Sequence, residues 1–342
     1  MHLDAPLRNL PIARVGEEAC RLERMGFSAI WSFETSRDPF LPLMQAALAT
    51  ERLRVGTNIA VAFARTPFSM AMTAWDLQRA SGGRLFLGLG TQVRAHVERR
   101  FSAQFEHPAA RVTDYIHCVR AIWETFQTGA KPDYEGPFYR FKLINEMFTG
   151  GPIDHPRIPI LLAGVNPRMA RAAGEAADGF SVHPMHSPAY LREVVCPAID
   201  EGARTRGMRV EDMTLVADCF IVQGETESER SRSEEAVRRQ VAMYASTPSY
   251  RGFLEFHGYP DIGKRLSALM REGRMQEMPA LISDALLSTV AVSEADGDLA
   301  HQIRQRYAGD LVQRVLFYEP VPADADEQRM RAFIDRACGK VP

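Results

Sequence analysis

Apolar and polar positions along the chain fall into two alternating rhythms. Short, nearly continuous apolar runs recur at residues 3–5, 29–31, 53–62, 85–90, 158–163, 180–183, 213–222 and 314–318, and each reads as a buried strand. Between them lie segments with helical spacing. Residues 12–25 place Val15, Ala19, Leu22 and Met25 on one side before Gly26 ends the pattern. Thr66-Pro67 opens the next clear helix, threonine as a cap and proline at the first helical position. Residues 108–128 carry Val112, Tyr115, Ile116, Val119, Ile122, Trp123 and Phe126 at the same spacing. Further helices are predicted over 41–51, 167–177, 187–206, 226–244 and 325–338.

Eight strands, each followed by a helix, imply a parallel sheet, because a crossover helix must return the chain to the same end of the sheet each time. The number of units favours an α/β fold of the (β/α)8 TIM-barrel type over an open doubly wound sheet. Two stretches break the rhythm and read as insertions in a single domain of residues 1–342. One is about 129–157, with Tyr134 to Tyr139 as a hairpin tip, and the other is about 245–310. The dinucleotide fingerprint is missing, since Val93 stands where a third glycine would follow Gly88-Leu89-Gly90. A phosphate-loop signature is absent too. In a barrel, chemistry is expected at the C-terminal rim of the strands.

Composition narrows the partners more than it does the fold. The chain has 342 residues, 46% apolar and 25% charged, with a formal net charge of −2. That balance gives no reason to expect nucleic acid or a membrane surface as the main partner. No apolar run approaches the roughly 20 residues of a spanning helix. The N-terminus shows no leader pattern, so cytoplasmic residence is expected. Cys20, Cys118, Cys196, Cys219 and Cys338 lie far apart with no CxxC pair, which suits reduced thiols better than disulfides or zinc.

The rim, read strand by strand, offers Glu34, then Asn58, then Thr91, Gln92, Arg94 and His96, then Gly164, Asn166 and Arg168, then His183 and His186. Glu34 suits proton transfer or a hydrogen bond to a ligand, or equally a cap or loop salt bridge. His96 suits a general acid, or a solvated helix face beside Arg94, Glu98, Arg99 and Arg100. His183 and His186 lack a third metal ligand nearby. From Ala163 to Arg168 the chain passes from strand to helix. Free N–H groups, the helix dipole and Arg168 would suit a phosphate there, or the loop is a tight turn that needs Gly164 for its backbone angles. Tyr250, Arg251 and His257 are candidates to line a pocket.

Four strings together resemble the bacterial luciferase-like superfamily: Gly56-Thr57-Asn58-Ile59, Gly83 to Thr91, Pro159 to Gly164, and Ala177-Asp178-Gly179-Phe180. The fuller strings Ala60 to Pro67, Gly90 to His96 and Ala163 to Arg168 are similar to its coenzyme F420-dependent oxidoreductases. The resemblance runs from about Leu3 to Tyr318. It implies a barrel with a deazaflavin or flavin across its C-terminal mouth, and a bulge in the third strand, often with a non-proline cis peptide, at Asn58-Ile59. Ile59 would support the ring's rear face and Thr91 and Gln92 would edge it. Gly164, Val165 and Asn166 would receive the cofactor phosphate, although Gly-Val-Asn-Pro replaces the consecutive glycines of many relatives. His183 would lie near the ribityl chain. Glu34 or His96 would move the proton, with Arg94, Tyr250 and Arg251 on the substrate side. Gly88 and Gly90 would let a ring approach the backbone.

The implied activity is an oxidoreductase transferring a hydride between F420 and a small organic substrate, an alcohol or carbonyl or an activated alkene. An FMN-dependent two-component monooxygenase of the same superfamily and a non-catalytic flavin- or F420-binding paralogue are the alternatives. The resemblance also implies a homodimer through helices near the second and third strands.

Overall fold

In the computed structural model, which describes residues 1–7, 10–309 and 311–340, the strands close into a ring. They are β1 (His2–Leu7), β2 (Ala29–Ser32), β3 (Arg54–Thr57), β4 (Leu85–Gly90), β5 (Ile160–Gly164), β6 (Gly179–Val182), β7 (Thr214–Val222) and β8 (Arg314–Phe317). Each pairs in parallel with the next, and β8 returns to β1 through His2↔Arg314 and Leu3↔Val315. The fold is the (β/α)8 barrel that the alternation predicts.

Helices wrap the outside where the periodicity places them. Helix α1 (Ile12–Met25) buries Val15, Ala19, Leu22 and Met25, and Gly26 ends it in the left-handed region at φ 95°. Helices α2 (Phe40–Ala49) and α3 (Pro67–Ala80) follow β2 and β3, with Thr66 capping α3. A short helix α4 (Arg94–Arg99) and the long α5 (Pro108–Thr128) follow β4, and α6 (Pro167–Ala176) follows β5.

The barrel interior is packed. Ala29, Trp31, Phe86, Leu161, Val216 and Leu316 form a cluster of their own, with Trp31 stacked on Phe86 at 5.5 Å. A charge also sits inside. The buried Asp4 carboxylate accepts Trp31 Nε1–H at 2.9 Å and the Arg314 guanidinium at 2.7 and 2.6 Å. Such a charge persists in a low-dielectric interior only when it is paired and hydrogen-bonded, as here.

One predicted strand is interrupted. Residues 53–62 read as continuous, but β3 ends at Thr57, the Asn58-Ile59 peptide is cis, and Ala60–Val61 resumes pairing with Leu89 and Gly90. This arrangement also gives the glycines of β4 a different reason from the expected one. A Cβ on Gly88 would lie 1.8 Å from the Thr57 carbonyl oxygen, and one on Gly90 would lie 2.8 Å from Ile59 Cγ1. The glycines therefore make room for the neighbouring strand's bulge.

Both irregular stretches are anchored. Tyr134–Glu135 and Arg140–Phe141 pair as a hairpin, and Asp114 on α5 holds it by accepting the Phe138 and Tyr139 N–H groups at 2.8 Å each. The later stretch supplies the turn Pro248–Tyr250, the helices Arg251–Phe256, Ile262–Arg271, Asp284–Val290 and Leu299–Arg306, and the strand Ala291–Ser293, which pairs with the end of β7. Asp310, given as the last residue of that insertion, lies outside the described residues, as do Val341 and Pro342 at the end of the expected domain. Among the described residues no helix is long and apolar enough to cross a membrane.

Candidate active site

The C-terminal ends of β2 to β8 and the Pro248–Tyr250 turn enclose a cleft of about 690 Å³. Of the residues singled out in the sequence, Glu34, Asn58, Ile59, Thr91, Gln92, Arg94, His96, Gly164, Val165, Asn166, His183 and Tyr250 all line it. Arg251 does not. It begins the helix Arg251–Phe256 with an exposed side chain, so its neighbour Tyr250 faces the cleft and Arg251 does not. His257 is also elsewhere, with Nε2 2.9 Å from Ser187 Oγ.

Asn58 is fixed from across the barrel. Its Oδ1 accepts the Ser181 hydroxyl at 2.5 Å, and its Nδ2 donates to Asp218 Oδ1 at 2.9 Å. Ser181 and Asp218 are buried, line the cleft and escaped the sequence reading. Their signal was present: each is a polar residue inside a largely apolar strand, Ser181 third of four residues in β6 and Asp218 at the centre of β7.

Glu34 reaches the cleft wall with its carboxylate already engaged. Val61 N–H donates to Oε2 at 2.7 Å, and Arg65 Nη1 meets Oε1 and Oε2 at 2.9 and 2.7 Å. The other Arg65 nitrogen donates to Asp38 at 2.7 Å. With only 5% of its side chain exposed, Glu34 is the loop salt bridge weighed in the sequence, tying β2 to the segment beyond the bulge. These three contacts leave the carboxylate about one of its roughly four acceptor sites, on Oε1.

The turn after β4 is tight. Gln92 adopts a left-handed backbone, φ 57°, and folds its Oε1 back onto the Val93 N–H at 3.0 Å. Arg94 pairs with Glu98 at 2.6 Å on α4 and lies 5.2 Å from the Phe105 ring centroid. His96, one turn in, is exposed at the rim.

The turn after β5 differs from its expected form in two ways. Asn166 caps α6, its Oδ1 accepting Met169 N–H at 3.0 Å. Pro167 has no N–H, so a phosphate meets fewer open backbone donors than a run of glycines would present. Gly164 is not in the left-handed region; a Cβ there would lie 2.4 Å from Met169 Cγ, so the glycine is needed for space against α6 and not for backbone angles.

On the far wall, His183 Nδ1 accepts the Met185 N–H at 3.2 Å and Nε2 lies 2.9 Å from the Tyr250 hydroxyl. The Tyr244 and Tyr318 hydroxyls meet beside them at 2.7 Å. His186, two residues beyond Pro184, turns inward instead. Its Nε2 is 3.0 Å from the Tyr307 hydroxyl, and burial first, then the nearby Arg306, pulls its imidazole down to about 3. The two histidines therefore do not share a ligand. Among the described residues no three His, Cys, Asp or Glu side chains gather as a metal site would require.

A parallel barrel with a deep polar-edged cleft at its C-terminal mouth defines a class of α/β protein whose site is built from strand ends. Residues 2–314 match the family model for luciferase-like monooxygenases, and the chain belongs to that family. It is 42% identical to an uncharacterized protein of Mycobacterium tuberculosis over 92% of each chain. It is 30% identical to a putative coenzyme F420-dependent oxidoreductase of the same organism over 83% of each. Among solved structures, the coenzyme F420-dependent tetrahydromethanopterin reductase from Methanopyrus kandleri superposes with a TM-score of 0.75 at 19% identity, covering 97% of this chain and 96% of that one.

Proposed function

We propose that the chain is an F420-dependent oxidoreductase that moves a hydride between the deazaflavin and a small organic substrate, an alcohol or carbonyl or an activated alkene. The observation that carries this reading is the make-up of the cleft. An apolar side chain, Ile59, stands among polar groups contributed by Asn58, Thr91, Gln92, Ser181 and His183, in a space of about 690 Å³. A flat heteroaromatic ring with polar edges fits that arrangement, and the M. tuberculosis relative named as a putative F420-dependent oxidoreductase supports the choice of cofactor.

In this reading Ile59 backs the ring and Thr91 and Gln92 meet its edge. Gly164, Val165 and Asn166 take the phosphate, His183 stands near the polar chain, and Arg94 and Tyr250 face the substrate. The deazaflavin, when bound, supplies the hydride chemistry, and the protein supplies geometry and electrostatics. FMN-dependent monooxygenation is the second reading, favoured by the family's own description. Titration of the purified protein with F420 and with FMN separates the two. F420 should bind at least tenfold more tightly, and tighter FMN binding would reverse the assignment. Binding without turnover across alcohols and enones would leave a non-catalytic paralogue.

A homodimer through α2 and α3 accompanies this reading. Leu41 and Leu48 on α2 are 58% and 68% exposed, and Met72 on α3 is 42% exposed, an apolar set that a second copy would cover. Light scattering should give twice the chain mass, and Leu48→Glu should shift it toward the monomer. The chain is also read as one domain, which should give one unfolding transition.

A further inference from the structure

The pairing of Tyr250 with His183 has a direction. The contacts of the His183 ring include the Met185 backbone N–H, which Nδ1 accepts at 3.2 Å, Tyr244, which packs edge-to-face at 4.4 Å between centroids, and the Tyr250 hydroxyl, 2.9 Å from Nε2. A ring nitrogen that accepts an N–H carries no proton itself, so the neutral imidazole has its proton on Nε2. Nε2–H therefore donates to the Tyr250 oxygen. The hydroxyl must aim its own proton elsewhere, and no other described residue is recorded as accepting it. Tyr250 lines the cleft with 9% of its surface exposed, and the cleft is where that proton can be given.

We propose that Tyr250 is the proton donor to the oxygen of the bound substrate, and that His183 is the positioning residue that sets the direction of its O–H. The proposal rests on the redox reading of the cleft given above. In the reduction of a carbonyl the deazaflavin, when bound, would supply the hydride and its electron pair to carbon, and the oxygen would need one proton. The Tyr250 O–H bond breaks, an O–H bond forms on the substrate, and the electron pair stays on the phenolate oxygen. His183 Nε2–H holds that oxygen by a hydrogen bond, and solvent at the open mouth returns the proton. Burial pushes the Tyr250 phenol up, which keeps it in the protonated form that donates. A positioned general acid contributes typically ~10²–10⁴-fold to rate.

The test uses the full chain loaded with F420, with two readouts that need no turnover. Nitrogen-15 NMR of histidine-labelled protein, with His183 assigned by its loss in His183→Gln, should show the Nε2–H tautomer. An Nδ1–H tautomer overturns the proposal, because Tyr250 would then be spending its proton on the ring. The second readout is binding of 4-nitrophenolate, an aromatic oxyanion whose visible absorption reports its environment. Tyr250→Phe should weaken it at least tenfold with F420 affinity held within twofold. Equal binding by both proteins, or none by the wild type, overturns the proposal.

His183→Gln keeps an N–H near the place of Nε2 and should retain binding within threefold, whereas His183→Leu should lose it as Tyr250→Phe does. Equal losses in the two His183 variants would leave His183 a packing residue and overturn its positioning role. Failure of the wild type to bind either F420 or FMN is seen before the probe is added. It removes the redox reading itself, and this proposal with it.

Discussion

The wall of the cleft built from β2 and the segment after the bulge differs from the wall built from β6 and the Pro248–Tyr250 turn in what its polar groups have left to give. On the first, the Glu34 carboxylate has both oxygens engaged by Val61 N–H and Arg65. On the second, the Tyr250 oxygen accepts from His183 and retains a proton. By residue type Glu34 is the better acid or base. By hydrogen-bond inventory the glutamate fastens the loop, and the tyrosine, the proton donor proposed above, keeps a proton to give. A strand-end carboxylate already held by a backbone N–H and a guanidinium has fewer lone pairs left for a ligand than one facing open space.

The comparison depends first on the bulge that brings Val61 to Glu34. Gly88→Ala places a Cβ 1.8 Å from the Thr57 carbonyl oxygen, a backbone atom that cannot rotate away. Overpacking of this kind costs typically ~1–3 kcal/mol and occasionally more, and with backbone as the obstacle about 3 kcal/mol or more is expected in urea denaturation. Gly90→Ala meets only the Ile59 side chain, at 2.8 Å, and should cost less. Equal and small losses for both would show that the strand edge can yield.

Glu34→Gln tests the first wall directly. The amide keeps one acceptor oxygen but loses the charge that holds Arg65, and hydrogen bonds to charged groups contribute about 1.5–3 kcal/mol. A loss near 2 kcal/mol is expected, with turnover falling only as far as cofactor affinity does. If stability is unchanged while turnover drops a hundredfold, Glu34 is the proton carrier and the contrast between the walls inverts.

The second wall should reveal its buried histidine through pH. His186 is neutral in the folded protein because burial pulls it down from 6.5 to about 3. The unfolded chain takes up a proton near pH 6.5 that the folded chain refuses. This contribution is therefore intact above about pH 6.5 and is lost as pH falls toward about 3, by about 1.4 kcal/mol per pH unit between them. Denaturation curves from pH 7 to pH 5 should show that slope, and His186→Phe should flatten it by about that amount. A slope that survives the substitution would assign the titration to another group.

The order of strands, the helical faces and most of the cleft lining were legible because burial on both faces writes each barrel strand as an apolar run. What was illegible depended on distance along the chain. Asn58 meets Asp218 across 160 positions, and Asp4 meets Arg314 across 310, so neither pairing leaves a local spacing to read. Glu34 was correctly placed, but its competitors for hydrogen bonds, Val61 and Arg65, lie about 30 residues further on, beyond a bulge that the apolar run conceals. Tyr250 and Arg251 are adjacent candidates for the substrate side, yet a turn passing into a helix sends adjacent side chains in different directions, and only Tyr250 lines the cleft.

The smallest expected effect concerns His96. It lies on the six-residue helix α4, exposed, with Arg94, Glu98, Arg99 and Arg100 also exposed around it. Surface substitutions away from caps and buried pairs usually stay within about 0.5 kcal/mol, so His96→Ala should leave stability within that range. Its position at the rim still permits contact with a substrate, and turnover decides the matter. If Tyr250 delivers the proton, His96→Ala should cost at least tenfold less in kcat than Tyr250→Phe, because a rim histidine then helps only to receive the substrate. A loss in kcat equal to that of Tyr250→Phe, with KM unchanged, would move the proton to the rim and leave the Tyr250–His183 pair as a binding element alone.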